Sequence, residues 1–490
     1  MRPLAVFVAF LLSLSLYGQP KSFDTRSVDK IVESAMRAWQ IPGAAVAIVR
    51  EDRVVYVQGY GTKELGETKP VTADTLFQIA STSKAFTTAA IAMLAAEGKL
   101  SWDDPVRKHL PYFQLADPCA DAQVTLRDLV SHRTGVGRYD ELWDNTPLTR
   151  EEVIRGMGKV EPSKPFRTAY QYQNIMFIAA GEVVANASGV PWEEFVRTRI
   201  FTPLAMTRTV TSDALWNASE HANGYQYDWR TNRVSPQRPI ETQTLGSAGA
   251  IKSSARDMAN WIRFQLAEDP VIDETKQPHT VIRLENSSRD SNPETHVMSY
   301  GLGWFIQDYR GELLVSHSGS LNGFRAHVDL LPKRKTGFAV LINVGRGYAT
   351  LAMRNALADM LYGKPSRDWN SYYLMLERRA DEKEARLRNE QIAKRIPNTT
   401  PALPLDHYAG EYESDSHGNA RVTLVDGQLI LEWNRITSPM THVHYDVFHV
   451  ESKFDSLDED VPFTLTPARE VEGLVLFGET FVRRREGGGR

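Results

Sequence analysis

The chain has 490 residues, 42% hydrophobic and 24% charged, with a formal net charge of −4. That composition excludes a disordered chain, a collagen-like fibre and a coiled coil, and the length allows roughly two to four domains. Its one cysteine, Cys119, excludes an intramolecular disulfide and any multi-cysteine metal or iron–sulfur site. A pI near 6.3 leaves no basic field for nucleic acid or acidic membrane.

The first 18 residues read as a cleaved secretory signal peptide. Arg2 supplies the positive start, Leu4 to Leu16 is apolar except for Ser13 and Ser15, and Gly18 is a small residue at the cut. The run is short for a bilayer span, so no stable membrane anchor is expected after cleavage, and the mature chain should be secreted or periplasmic. A helix over Val28 to Trp39 follows. Pro42-Gly43 then leads into two strand-like runs, Ala44 to Val49 and Val54 to Val57, joined as a hairpin by Arg50-Glu51-Asp52-Arg53. Helical patterns fill the next two hundred residues and more. Ala85 to Glu97, stopped by Gly98, is one of them. Three further runs, Leu313 to Ser316, Ala326 to Leu331 and Phe338 to Asn343, are joined by short polar connections and read as an antiparallel meander. The layout is α+β: a sheet built from both ends of a domain spanning 24–364, with a helical subdomain inserted. Residues 365–404 read as a charged, solvated helical connector and a proline-containing linker. Residues 405–490 read as a small all-β domain, a sheet or barrel, with Val422 to Val425 and Leu429 to Trp433 around an Asp426-Gly427 turn.

Three short motifs could carry chemistry. In Ser81-Thr82-Ser83-Lys84, at the start of a helix, three positions make nearly one turn and a rise of about 4.5 Å, so Lys84 can reach the Ser81 hydroxyl. A serine hydroxyl needs a base or a nearby cation before it attacks. The same spacing at Ser27 and Lys30 has no support from its surroundings and reads as a capping serine with an exposed lysine. In Tyr172-Gln173-Asn174 the two outer side chains share one side of an extended loop. A tyrosine beside an ammonium group can exchange protons, and the Asn174 amide can hold the lysine and a substrate carbonyl. In His317-Ser318-Gly319 a strand edge with small residues suits a substrate backbone lying alongside, and the N–H groups of Ser320 and Ser81 could form an oxyanion hole.

Together the Ser-x-x-Lys, Tyr-x-Asn and His-x-Gly motifs resemble those of the serine β-lactamase and penicillin-binding group, in particular its class C-like branch with D-alanyl peptidases and esterases. Further stretches are similar to that group: Leu129-Val130-Ser131-His132-Arg133-Thr134-Gly135-Val136, Pro203-Leu204-Ala205-Met206, Ser253-Ser254-Ala255-Arg256-Asp257-Met258 and Tyr300-Gly301-Leu302-Gly303-Trp304. The resemblance covers roughly residues 28 to 362. It implies a five-stranded antiparallel sheet flanked by helices, with the site between sheet and helical subdomain. It implies that Ser81 is acylated, that Lys84 and Tyr172 share the proton transfers, and that Asn174, His317, Ser318, Gly319 and Ser320 bind substrate. His317 stands where the group often has lysine, which turns the expectation from antibiotics toward small esters and short peptides or D-residue amides. No cofactor is called for. The last domain resembles a lipocalin-like module through Tyr408-Ala409-Gly410-Glu411-Tyr412 and His442-Val443-His444-Tyr445-Asp446-Val447-Phe448. That module could cover the site's mouth or build a homo-oligomer. His442 and His444 alternate onto one strand face, but without a third ligand a structural role is the better reading.

Two rival hydrolase types are disfavoured, because the chain has neither a Gly-x-Ser-x-Gly elbow nor a His-Glu-x-x-His motif. The rival from another class is a silent module that binds cell-wall fragments or β-lactams. Intact Ser81, Lys84 and Tyr172 speak against it, since a binder needs no base.

Overall fold

The computed structural model describes residues 23–452 and 457–484. The expected signal segment, 1–18, lies outside the described residues. Strands β1 (Gly43–Arg50) and β2 (Arg53–Gly61) form the expected hairpin. Its two turn residues, Glu51 and Asp52, both have positive φ, the geometry that matches the twist of paired strands. Strands β3 (Thr280–Ile282), β4 (Met298–Tyr300), β5 (Phe305–Tyr309), β6 (Glu312–Leu321), β7 (Phe324–Leu331) and β8 (Thr336–Ile342) complete one antiparallel sheet in the order β2-β1-β8-β7-β6-β5-β4-β3.

The sheet therefore has eight strands where five were expected. β2, β1, β8, β7 and β6 are the expected five, and β3, β4 and β5 widen the sheet beyond β6. Those added strands have only three, three and five residues, too few to show a strand period in sequence.

β1 and β8 are buried on both faces, which explains their unbroken apolar runs. Alternate residues enter different cores. Ala44, Val46 and Ile48 pack with Phe338, Val340 and Ile342 against helices α1 (Thr25–Trp39), α5 (Gly347–Tyr362) and α6 (Trp369–Ala393). Ala45, Ala47 and Val49 join Ala339 and Leu341 on the other face, against α4 (Ala255–Leu266) and the inserted helical region. At the centre of that region lie α2 (Lys84–Ala96) and α3 (Asn174–Ser188), both apolar nearly all round because both are enclosed. Among the described residues no single helix is long and apolar enough to cross a membrane.

The charged connector is α6. Its first two turns are anchored, with Trp369, Tyr373 and Leu376 buried against the sheet domain. Its far end meets the C-terminal domain, where Arg395 pairs with Asp460 at 2.8 Å. That domain is a closed eight-stranded barrel running from β9 (Gly410–Ser414) to β16 (Glu479–Arg483), sealed by pairing of Tyr412 with Arg483. Tyr412, Leu431, Phe448, Leu474 and Phe481 fill its interior. The strand containing His442 and His444 shifts register between them. Among the described residues no further metal-ligating side chain joins the pair.

Candidate active site

The chain turns sharply into α2. Ala80 takes a positive φ of 48°, a 3-10 turn spans Ala80–Ser83, and Lys84 begins the α-helix. Lys84 is fully buried, and its Nζ lies 3.2 Å from Ser81 Oγ, 2.7 Å from Asn174 Oδ1 and 2.9 Å from the Ala248 carbonyl oxygen. Two of these neighbours only accept hydrogen bonds, while the serine hydroxyl can also donate. A neutral amine fits this set: two N–H bonds go to Asn174 and Ala248, and the lone pair faces the Ser81 hydroxyl. The surroundings favour that form. Burial, helped by the Arg138 charge and opposed by Asp140, drives Lys84 well below the ordinary lysine value.

Tyr172 closes the other side of Ser81. Its ring lies 4.8 Å from Lys84 Nζ. Burial raises its pKa, against the opposing effects of Ser81 and Arg138, so the phenol keeps its proton. Asn174, the first residue of α3, donates from Nδ2 to Asp140 Oδ1 at 2.8 Å, which leaves its Oδ1 turned to Lys84. Asp140 also accepts from Trp143 Nε1 at 2.8 Å and pairs with Arg138, whose guanidinium lies 5.3 Å from the Tyr172 ring centre.

His132 positions the Tyr172 loop from behind. Its Nδ1 accepts from the Gln173 N–H at 3.1 Å, its carbonyl accepts from the Gln171 N–H at 2.8 Å, and its ring lies 4.4 Å from that of Tyr172. Asp128, fully buried, pairs with Arg167 ahead of that loop at 2.7 Å and with Arg133, next to His132, at 2.6 Å. His132 and Arg133 stand in a stretch singled out above, yet only the fold reveals what they hold. Arg138, Asp140 and Ala248 carry no local sequence signal.

The His317 strand departs from the expected picture. His317 is buried, with Nδ1 2.7 Å from the Ser318 carbonyl oxygen and Nε2 2.8 Å from the Tyr300 hydroxyl. The carbonyl can only accept, so Nδ1 carries the proton and Nε2 accepts from Tyr300. Burial lowers the His317 pKa to about 3, leaving a neutral ring that supplies no cation to the cleft. Gly319 serves a close approach, but between parts of the protein. A Cβ there would stand 2.0 Å from the Ile79 carbonyl oxygen, so this glycine lets β6 press against the turn that carries Ser81. Ser318 is exposed, and Ser320 lines the cleft together with Ser81, Asn174 and Arg138. Ser27, the rival serine, donates to Asp24 at 2.5 Å on the exposed start of α1, remote in role from this cluster.

The cleft is completed by the barrel. Trp433, Ile436, Leu457, Glu459 and Phe477 form its outer wall, facing Ser81 and the 138–145 loop. The barrel docks on that same region: His417 Nε2 lies 3.4 Å from Glu141, the Arg435 N–H donates to the Asn145 carbonyl at 3.2 Å, and Arg435 pairs with Glu241. The barrel thus covers part of the mouth, one of the two placements the sequence left open.

Residues 28–360 match the Beta-lactamase family, and residues 394–486 match DUF3471, a domain of unknown function. The chain is 30% identical over 403 residues to unguisins hydrolase ungD' of Aspergillus campestris, covering 78% of this chain and 74% of the relative. It is 28% identical over 328 residues to protein flp of Staphylococcus aureus, covering 66% of this chain and 64% of flp. The octameric penicillin-binding protein homologue from Pyrococcus abyssi shares the fold, with a TM-score of 0.61, 23% identity, and coverage of 94% of this chain and all of that one. With a match over most of its length and a site of the expected residue types, the chain belongs to the Beta-lactamase family of the serine hydrolase superfamily.

Proposed function

We propose that the protein is an exported serine hydrolase that forms an acyl-enzyme on Ser81 and cleaves small esters or amides. The observation that carries this reading is Lys84 Nζ, 3.2 Å from Ser81 Oγ, buried, with its other contacts spent on two fixed acceptors. Lys84 takes the Ser81 proton as Oγ attacks the carbonyl carbon. The backbone N–H groups of Ser81 and Ser320 receive the oxyanion. Tyr172, holding its proton, donates it to the leaving group, and the Lys84 ammonium returns a proton to Tyr172. Water then releases the acyl group through the same pair. Export is supported by the signal-like composition of residues 1–18. Assembly into a homo-oligomer is supported by the octameric homologue, and light scattering on the purified chain checks it.

The neutral, buried His317 favours esters and amides over penicillins and cephalosporins, whose carboxylate would find no cation at that strand position. A steady-state comparison of p-nitrophenyl acetate, short D-residue amides, a penicillin and a cephalosporin tests the reading, run with wild type and Ser81→Ala. Turnover of the ester or amide that vanishes in Ser81→Ala is expected. A cephalosporin preferred by orders of magnitude would overturn the substrate class. No turnover and no adduct with any of them would leave the silent binding module.

A further inference from the structure

A second lysine, Lys252, is wholly buried and takes no part in the hydrolytic steps. Its Nζ donates to Thr242 Oγ1 at 2.6 Å and pairs with Asp213 at 2.5 Å. Asp213 accepts in turn from the Thr242 N–H at 2.8 Å and from the Thr242 hydroxyl at 2.7 Å. The three side chains thus clamp together the two ends of the segment 242–252. Burying an ammonium is unfavourable unless it is paired and hydrogen-bonded, and here both conditions are met by this one clamp. The clamped segment carries Ala248, whose carbonyl oxygen is one of the two fixed acceptors at Lys84 Nζ. Its inner side is bonded to the central helices: the Thr87 hydroxyl of α2 donates to the Ser247 carbonyl at 2.7 Å, and Ser247 Oγ donates to the Phe177 carbonyl of α3 at 2.8 Å. Its outer side opens onto a cavity lined by Thr211, Asp213, Gln243, Thr244 and Ala250. On that side the clamp, rather than packing, keeps the segment from moving outward.

We infer, on the hydrolase reading above, that Lys252 is a positioning residue: through Thr242 and Asp213 it holds the Ala248 carbonyl against Lys84 and keeps water from that amine, so that Lys84 serves as a base near neutral pH. Burial is the main cause that depresses Lys84, so its basicity depends on how tightly it is enclosed. If the clamp opens, the segment can shift into the outer cavity, water takes the place of the Ala248 carbonyl, and the ammonium form gains its hydration back. The charged and titratable groups that face Lys84 are Arg138 and Asp140 from the 138–145 loop, Tyr172, His132 and His317. Lys252 is bonded instead to Asp213, Thr242 and, at 3.4 Å, the Thr211 carbonyl, so a change in the clamp leaves the groups around Lys84 in place.

The pH profile of kcat/KM for p-nitrophenyl acetate tests this, because it reports the titration of the free enzyme's base. Wild type is compared with Lys252→Met, which removes the ammonium, with Thr242→Val, which breaks the same clamp without changing any charge, and with Thr242→Ser, which keeps the hydroxyl. In Lys252→Met and Thr242→Val the acid limb should move up by about one pH unit, so that kcat/KM falls roughly tenfold below the limb and recovers above it. Thr242→Ser should keep the wild-type limb. A purely structural role would lower the rate by one factor at every pH and leave the limb where it is, and that result would overturn the inference. So would a limb that moves in Lys252→Met but not in Thr242→Val, the signature of a lost charge alone. A second arm reads Lys84 directly and needs no turnover. In Ser81→Ala protein labelled with 13C-lysine, the NMR signal of the Lys84 ε-carbon, identified by its loss when Lys84→Arg is added, should titrate about one pH unit higher once Thr242→Val is introduced. That shift, with no ester hydrolysed by the intact chain, would sink the hydrolase reading and keep the positioning role. Hydrolysis through Ser81 with the Lys84 titration unmoved would do the reverse.

Discussion

At the scale of single residues, the site sets two proton-bearing groups in opposite states. The same enclosure pushes Lys84 down and Tyr172 up, so a base and an acid face one hydroxyl near neutral pH. In the proposed mechanism they pass one proton between them, so their losses should not add. Tyr172→Phe and Lys84→Ala should each lower turnover by about 10² to 10⁴, and the double variant should lie little below the worse single one. Stopped-flow or steady-state rates on one ester check this; fully additive losses, or a near-wild-type Tyr172→Phe, would contradict it. His317 makes a prediction about stability. Its folded pKa, about 3, is below the unfolded value of about 6.5, so between those pH values the unfolded chain binds the extra proton. Its contribution is complete above about pH 6.5 and is lost as pH falls toward 3, by up to about 1.4 kcal/mol per unit. His132, also depressed by burial, acts in the same direction. Urea melts from pH 7 to 4 should lose stability less steeply in His317→Gln than in wild type.

At the scale of elements, the contact between β6 and the 3-10 turn sets the position of Ser81. Gly319→Ala should push that turn off the strand, since the new Cβ would meet the Ile79 carbonyl oxygen. A misplacement of about 1 Å can cost roughly 100-fold in rate, so turnover should fall far more than the melting temperature does. Wild-type turnover in Gly319→Ala would contradict this role. What the sequence revealed at this scale follows from how local each signal is. Ser81 and Lys84 are one helical turn apart, so their meeting is written into the spacing. β1 and β8 announce themselves as unbroken apolar runs because both faces are buried. β3, β4 and β5 stay hidden because three to five residues carry no readable period. Gly319 was legible as a place of close approach, but its partner, the Ile79 carbonyl, lies 240 positions away in the chain and only the fold shows it. Arg138 and Asp140 reach the site from a loop tied to it by the long-range contact of Asp140 with Asn174, so no local pattern could mark them.

At the scale of the whole molecule, the hydrolase domain and barrel share one cleft. The resemblance named both modules, but the burial of the first turns of α6 and the docking of His417 and Arg435 decide how they meet. Phe477 reaches the cleft from a barrel turn, so it should limit the length of the acyl group. Phe477→Ala should raise kcat/KM for p-nitrophenyl octanoate relative to acetate by roughly tenfold, the scale expected for relieving a clash of a methylene or two. An unchanged ratio would mean that the barrel does not bound the acyl site.

In the proposed mechanism Ser81, activated by Lys84, carries the acyl group. The most direct measurement is to mix the protein with a p-nitrophenyl ester or a fluorescent penicillin, quench in acid within the first turnovers, digest it and map the added mass by peptide mass spectrometry. One acyl group is expected, on the peptide containing Ser81, absent in Ser81→Ala and accumulating much more slowly in Lys84→Ala. An adduct on Ser27, or on any other residue with Ser81 left unmodified, would contradict it.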